Sequence, residues 1–286
     1  MKIKIIKTSY EQVAALKKAV RRKPKKPNII FRTLIRLLSV LDLRSTHFQF
    51  EEIGMEKVKK EPCLILMNHS SFTDIKIAYG IFYPMPFAIV GTADAFIGKK
   101  WLMEQIGVIP TRKFVTDASL VKDMIRAVKE KKMSVLMYPE AGYSFDGRAT
   151  VMPDSLGRLC KMMDVPVVTV ITSGAFLRDP LYNNLQIRKV NVTAAVKCLL
   201  TREEVRNTPS EEINALIQKD FAFDGFAAQT KKKTEIKEDF RADGLHRILY
   251  KCPHCKTEGQ TVGKGALQRG RGKTYSRHKR IFSYGL

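Results

Sequence analysis

Apolar and polar positions along the chain change rhythm three times. Residues 10–23 read as a basic helix, stopped by the turn cluster Lys23-Pro24-Lys25-Lys26-Pro27, because proline cannot continue a helix. Residues 28–43, NIIFRTLIRLLSVLDL, are apolar except for a narrow stripe of Arg32, Arg36 and Ser39 at helical spacing, and Asn28 is placed to cap them. Such a helix can lie in a membrane interface with its apolar side in lipid, or it can cover one face of a sheet. From residue 61 short apolar runs alternate with helical spacing. Cys63–Met67, Phe87–Val90, Ser134–Tyr138, Val165–Ile171 and Val190–Val196 read as strands; about 72–80, 99–106, 116–131, 153–163 and 211–220 read as helices.

Continuous apolar strands alternating with helices predict an α/β fold, a central mostly parallel or mixed sheet flanked by helices on both sides. Three regions follow: a basic, amphipathic helical N-terminal arm (1–60), a domain carrying the sheet (61–230), and a basic C-terminal tail (231–286) in which the pattern decays. Charge sharpens that division. Residues 1–60 hold 16 Lys/Arg against 5 acids, residues 231–286 hold 15 against 5, and the middle holds 20 against 18, out of a net +23. Basic ends attract polyanions: nucleic acid, an anionic lipid surface, or an acidic protein. The cations are not interleaved with an aromatic stacking array, which argues against nucleic acid. The five cysteines (63, 160, 198, 252, 255) form no paired framework, as suits a reducing interior. No run reaches the roughly 18 apolar residues of a membrane span, and no signal-peptide layout opens the chain, so a cytoplasmic protein is expected.

Candidate chemistry gathers where strands end. The stretch MNHSSFTDIKIAYG (67–80) puts His69 five positions before Asp74. Ser71-Phe72-Thr73-Asp74 also fits a capping box, in which serine and acid satisfy the first backbone N–H groups of a helix. Two other strand ends are polar and turn-rich: IGVIPTRK (106–113), with Arg112 and Lys113, and YPEAGYSFDG (138–147), with Glu140, Gly142, Tyr143 and Ser144. Ligands of open α/β sheets collect beyond the carboxyl ends of strands, so these segments make one candidate site.

Asn68-His69-Ser70-Ser71-Phe72-Thr73-Asp74 resembles the N-H-x4-D block of the glycerolipid acyltransferases typified by lysophosphatidic acid acyltransferase. Gly107 to Arg112 resembles the family's second block, Tyr138 to Ser144 its third (usually F-P-E-G-T-R-S), and Asp164-Val165-Pro166-Val167-Val168 its fourth. The likeness covers roughly 60–175. It implies transfer of an acyl group from acyl-CoA or acyl-carrier protein to the hydroxyl of a lysophospholipid, most simply 1-acyl-glycerol-3-phosphate, giving phosphatidic acid. No cofactor is then required. His69 would be the general base and Asp74 its partner. Asn68, Gly142, Ser144 and Glu140 would line the acceptor site, and Arg112 and Lys113 would bind its phosphate. Tyr143 stands where the family has an arginine, and Arg148, four residues after Ser144, is the nearby cation that could reach back. The resemblance also tilts residues 28–43, with Arg21, Arg22, Lys23, Lys25 and Lys26 beside them, towards a peripheral role on the inner face of a membrane. A different lysolipid or glycerol phosphate acceptor, and a silent relative that only binds lipid or nucleic acid, are the alternatives.

The end of the chain carries one C-x2-C pair, Cys252 and Cys255, half of a zinc ribbon without the second pair. His254 and His278 could complete a zinc site; two reduced thiols on a basic tail is the simpler reading.

Overall fold

The computed structural model describes residues 7, 9–14, 23–58, 60–93, 99–112, 117–252, 256–270 and 273–275. In chain order these form α1 (Tyr10–Ala14), α2 (Ile29–Ser45), β1 (Gln49–Ile53), β2 (Leu64–Met67), α3 (Asp74–Phe82), β3 (Phe87–Thr92), α4 (Lys100–Gln105), β4 (Val108–Thr111), α5 (Ala118–Lys129), β5 (Ser134–Met137), α6 (Leu156–Met163), β6 (Val167–Ser173), α7 (Ala175–Arg178), β7 (Thr193–Leu200), α8 (Arg202–Asn207), α9 (Ser210–Asp220), α10 (Gly225–Lys231), β8 (Val262–Lys264), β9 (Leu267–Gly270) and β10 (Lys273–Tyr275).

A seven-stranded sheet runs β1-β7-β6-β2-β5-β3-β4. Strands β6, β2, β5, β3 and β4 are parallel, β7 is antiparallel to β6, and β1 is parallel to β7, so the sheet is mixed. All four residues of central β2 are buried, and alternation splits them between two cores. Leu64 and Leu66 meet Met124 and Ala127 of α5, Leu159 and Met163 of α6, and Ile213 and Ile217 of α9. Ile65 and Met67 meet Ile77 and Tyr79 of α3 and Leu43 of α2. Helices therefore flank both faces. Helices α2 and α3 approach closely because Gly80 has no side chain; a Cβ there would lie 2.7 Å from Leu43 Cδ1.

Two edge strands lie outside the apolar runs. Every residue of β1 is exposed, so the polar stretch QFEEI, placed with the arm, carries no strand rhythm. Strand β4 is four residues long and contains Pro110, tolerated because an edge strand need not donate on its open side. Beyond residue 230 the chain remains packed. Ile236, Ala242 and Leu245 are buried with Phe176, Leu177 and Tyr182, and Asn183 Nδ2 donates to the carbonyls of Phe240 and Asp243 at 2.9 and 2.8 Å. Strands β8–β10 then form a small antiparallel sheet.

Helix α2 begins at the expected cap, Asn28 Oδ1 accepting from the Ile30 amide at 2.8 Å. Its orientation inverts the usual one. The polar stripe turns inward: Arg32 is buried and donates to the Pro84 carbonyl at 2.6 Å, and buried Ser39 donates to the Ile35 carbonyl at 2.6 Å. The apolar side turns outward, with Ile30 72%, Leu37 62% and Leu41 72% exposed. Phe31 packs edge-on against exposed Trp101 of α4, ring centres 5.5 Å apart, which extends the apolar surface onto a second helix. No helix among the described residues is long and apolar enough to cross a membrane.

Candidate active site

Asn68 leaves β2 and hooks its side chain onto β6: its Oδ1 accepts from the Thr172 amide at 2.8 Å and the Thr172 hydroxyl at 3.0 Å. This fixes the point from which His69 departs. The turn through Ser70–Thr73 returns the chain into α3, whose first residue is Asp74, and His69 Nδ1 lies 2.9 Å from Asp74 Oδ2. The same oxygen accepts from the amides of Ser70 at 2.8 Å and Ser71 at 3.0 Å. Only the acidic half of the expected capping box forms. The Ser71 hydroxyl accepts from the Thr73 amide at 3.0 Å instead of from Asp74, and it donates to Asp179. One carboxylate oxygen thus caps the helix entry and holds the imidazole, while Asp74 Oδ1 is buried with no hydrogen-bond partner among the described residues.

The third segment, after β5, grips the histidine. Glu140 Oε2 accepts from the His69 amide at 2.8 Å, its Oε1 accepts from the Thr150 amide at 3.2 Å, and the Ser144 amide donates to the His69 carbonyl at 2.7 Å. The Ser144 hydroxyl donates to the Arg148 carbonyl at 2.9 Å and accepts from the Gly147 amide at 3.0 Å, which closes the loop on itself. Glu140 and Ser144 are therefore engaged with the backbone of the site. The loop turns at Ala141, whose φ of 54° is a left-handed conformation unusual for a residue with a side chain.

Rings close on the imidazole from both sides. Tyr138 stacks on one face with centres 3.9 Å apart and planes 19° apart, and Tyr143 on the other at 3.7 Å and 28°. Phe72, half exposed, continues the pile beyond Tyr143 at 5.0 Å. The His69 side chain keeps 17% exposure, and no hydrogen bond to its Nε2 occurs among the described residues.

Strand β6 contributes a carboxyl end that sequence reasoning missed. Buried Asp179, just after α7, accepts from Ser71 and from the Phe72 backbone. Its neighbour Arg178, 6% exposed, lies 3.6 Å from Asp179 and 3.4 Å from Asp42 of α2, and Asp42 also pairs with Lys76 of α3. An ionic chain thus joins the turn after β2 to the helix with the outward apolar face. The polar turn Ser173-Gly174 after an apolar strand was the available signal. Burial pushes the carboxyls of Asp74 and Asp179 above the ordinary aspartate range, opposed at Asp74 by His69 and the Ser71 and Ser70 amides and at Asp179 by Ser71 and Arg178. Burial, with the charges of Asp74 and Asp179 adding to it, pushes Tyr143 up to about 12, and Tyr138 is raised well above the usual phenol. Both phenols are uncharged at neutral pH.

One expected cation stands apart. Arg112 ends β4 on the same carboxyl edge but three strands from β2, roughly 14 Å away at ordinary strand spacing. It is exposed and lies 3.8 Å from Asp117. Lys113 lies outside the described residues, as do Arg21 and Arg22. Arg148 pairs with Asp224 at 3.5 Å, with its guanidinium over Phe226, and it lines a small cavity with Asn68, Glu140 and Ser144. Gly142 faces open space. In the C-terminal pair, Cys252 is buried, and Cys255, His254 and His278 lie outside the described residues; no group of three or more potential ligands forms among the described ones.

Residues 49–173 match the family model described as Acyltransferase. The 1-acyl-sn-glycerol-3-phosphate acyltransferases of Limnanthes alba and Limnanthes douglasii are each 25% identical over 130 residues, which is 43% of this chain and 45% of the relative. The match thus spans less than half the length of these curated relatives. Among solved structures, the 1-acyl-sn-glycerophosphate (LPA) acyltransferase PlsC from Thermotoga maritima aligns with 66% of this chain and 78% of its own, at 15% identity and a TM-score of 0.48.

Proposed function

We propose, on the premise that residues 49–173 match the Acyltransferase family model, that the protein moves an acyl group from acyl-CoA or acyl-carrier protein to the free hydroxyl of a lysophospholipid. The acceptor is 1-acyl-glycerol-3-phosphate and the product phosphatidic acid, as the names of the Limnanthes relatives suggest. The observation that carries the reading is the 2.9 Å contact between His69 Nδ1 and Asp74 Oδ2, which leaves Nε2 as the ring nitrogen without a hydrogen bond among the described residues, on a side chain 17% exposed. With its proton on Nδ1, the imidazole offers a lone pair at Nε2 to the acceptor hydroxyl. As Nε2 takes that proton, the alcohol oxygen attacks the thioester carbonyl and a tetrahedral oxyanion forms. Collapse breaks the C–S bond, and the thiolate recovers the proton from Nε2. An ester and a thiol leave, and no acyl-enzyme is needed. Asp74 holds the ring orientation and balances the imidazolium charge while it exists.

The amides at the entry to α3 are already used by Asp74, Asp179 and Ser71. The amides around Gly142, beside open space, are therefore the oxyanion donors in this reading. Arg112, with Lys113 after it in sequence, would take the acceptor phosphate at the far end of the same edge. The exposed apolar side of α2, continued by Trp101, would sit in the interface of an anionic membrane, with Lys23, Lys25 and Lys26 at the phosphates. No cofactor enters the chemistry.

A panel assay tests the reading: acyl-CoA or acyl-carrier protein is offered with lysophosphatidate, other lysolipids or glycerol phosphate in anionic vesicles, and ester products are identified by mass. Phosphatidic acid as the dominant product is expected. Ester formation on a different acceptor would move the specificity, and no ester with any pair would remove the enzymatic reading.

A further inference from the structure

The polar histidine edge is enclosed by rings in a way that base chemistry alone does not require. His69 lies between Tyr138 and Tyr143, with centres at 3.9 and 3.7 Å and both planes within 28° of its own. Tyr143 occupies the position where the resembled motif carries arginine, so one half of this enclosure belongs to this chain's own sequence. We propose that Tyr143 is a positioning residue which, against Tyr138, clamps the imidazole face to face and so confines the acceptor hydroxyl to an approach in the plane of the ring. The proposal rests on the reading of His69 as the base.

Three features support it. First, Asp74 holds the ring at one point only, Nδ1, and a single hydrogen bond leaves the ring free to swing about it. The ring torsion of histidine is intrinsically broad, so its plane must be set by packing. Second, with both faces covered and Nδ1 engaged, the edge carrying Nε2 is the remaining way in, and 17% of the side chain is still open. A hydroxyl arriving there meets the in-plane lone pair directly. Third, when the ring gains its proton the new cation lies between two electron-rich faces that stay neutral, since both phenols are raised above their usual range. The clamp thus favours the charged intermediate as well as the geometry. Phe72, stacked on the outer face of Tyr143 at 5.0 Å, supports the outer jaw.

The test uses the full-length chain on anionic vesicles with acyl-CoA and lysophosphatidate, comparing wild type with Tyr143→Phe, Tyr143→Leu and Tyr143→Ala. In parallel, the ring protons of His69 are followed by NMR of histidine-labelled protein, assigned with His69→Gln. Rings above and below the imidazole shift those protons upfield by their ring currents, whether or not any substrate turns over. Phe keeps the ring and is expected to hold kcat within about twofold. Leu and Ala are expected to lower kcat about tenfold or more, because misplacing a catalytic group by about an ångström is that costly, with KM for the acyl donor little changed. Their His69 protons should move downfield towards ordinary positions. Leu fills the space that Ala leaves, so a loss shared by both is not a cavity effect. Leu or Ala variants that turn over like wild type with His69 shifts unmoved would overturn the clamp. A Phe variant as slow as Ala would also overturn it, assigning the role to the phenol oxygen. If wild type makes no ester at all, the proposed reaction fails, and the shifts alone decide whether the clamp exists.

Discussion

Two regions of this molecule break the ordinary rule of burial in opposite directions. At the carboxyl ends of β2, β5 and β6, carboxylates are inside: Asp74 and Asp179 are buried and raised above the usual aspartate range. On α2, Leu34, Leu37, Leu38 and Leu41 are outside while Arg32 and Ser39 face the core. Each inversion is costly in water, and the two costs differ in kind. The histidine edge compensates internally, by concentrating N–H donors on one carboxylate oxygen and by pairing Asp179 with Ser71 and Arg178. The outer face of α2 is left exposed by the described residues, and in the proposed function an apolar surround covers it. Helix α5, on the opposite face of the same sheet, shows the ordinary case: Met124, Ala127 and Val128 point inward and Lys122 and Lys129 outward. In the proposed function, the contrast separates a site for chemistry from a surface for contact.

The largest effect expected from breaking one side of this contrast is at Asp74. One oxygen already accepts all three N–H groups, so Asp74→Asn can keep the turn by placing its amide oxygen there and lose only the charge. Acyl transfer is expected to fall by about a hundredfold or more. Stability should behave differently. The folded-state pKa of Asp74 lies above its unfolded value of about 3.9, so the native state holds the proton more tightly, and this group's contribution to stability is lost as pH rises through that window. Asparagine has no such loss. Urea melts from acid to neutral pH should show the variant no less stable than wild type at neutral pH and flatter with pH. An active variant, or one that unfolds at neutral pH, would contradict this account of the edge.

The α2 side is broken by Leu37→Asp with Leu41→Asp. Burying a leucine is worth about 1.5–3 kcal/mol, so losing two from an interface should lower partition onto anionic vesicles by at least about tenfold. Thermal stability in solution should barely move, because both side chains are exposed. Sedimentation with vesicles reads the first and a melt the second; a large drop in melting temperature would show that α2 packs against protein at that face.

The smallest effect sharpens the comparison by asking whether the edge also stores backbone strain. Ala141 holds a φ of 54°. Ala141→Gly is expected to stabilise by about 0.5–1 kcal/mol, the left-handed penalty less the added freedom of glycine in the unfolded chain. No gain in a denaturant melt would confine the cost of the edge to its buried carboxyls.

Much of this was legible in the sequence. The strand runs through β2, β3, β5 and β6 and the helices between them followed from apolar rhythm. The pairing of His69 with Asp74 was implied by the resemblance to the N-H-x4-D block, and the two meet at 2.9 Å because an acid in the first turn is held near the residues just before it. What could not be read is which side of a periodic pattern faces inward. The stripe of Arg32 and Ser39 marks a face of α2, but that this face turns to the core depends on partners distant in sequence, the Pro84 carbonyl for Arg32 and Lys76 and Arg178 for Asp42. Likewise Tyr138, Tyr143 and His69 meet only because β2 and β5 are neighbours, a pairing that local spacing does not contain. Asp179 reaches Ser71 across 108 positions for the same reason, β6 being the other neighbour of β2.

The most direct measurement is the rate of lysophosphatidate acylation on anionic vesicles for wild type and His69→Ala, with vesicle binding and melting temperature recorded on the same samples. Loss of turnover by a factor of about 10²–10⁴, with binding and folding retained, is the predicted result for a general base. Equal turnover in the two proteins would remove His69 from the chemistry.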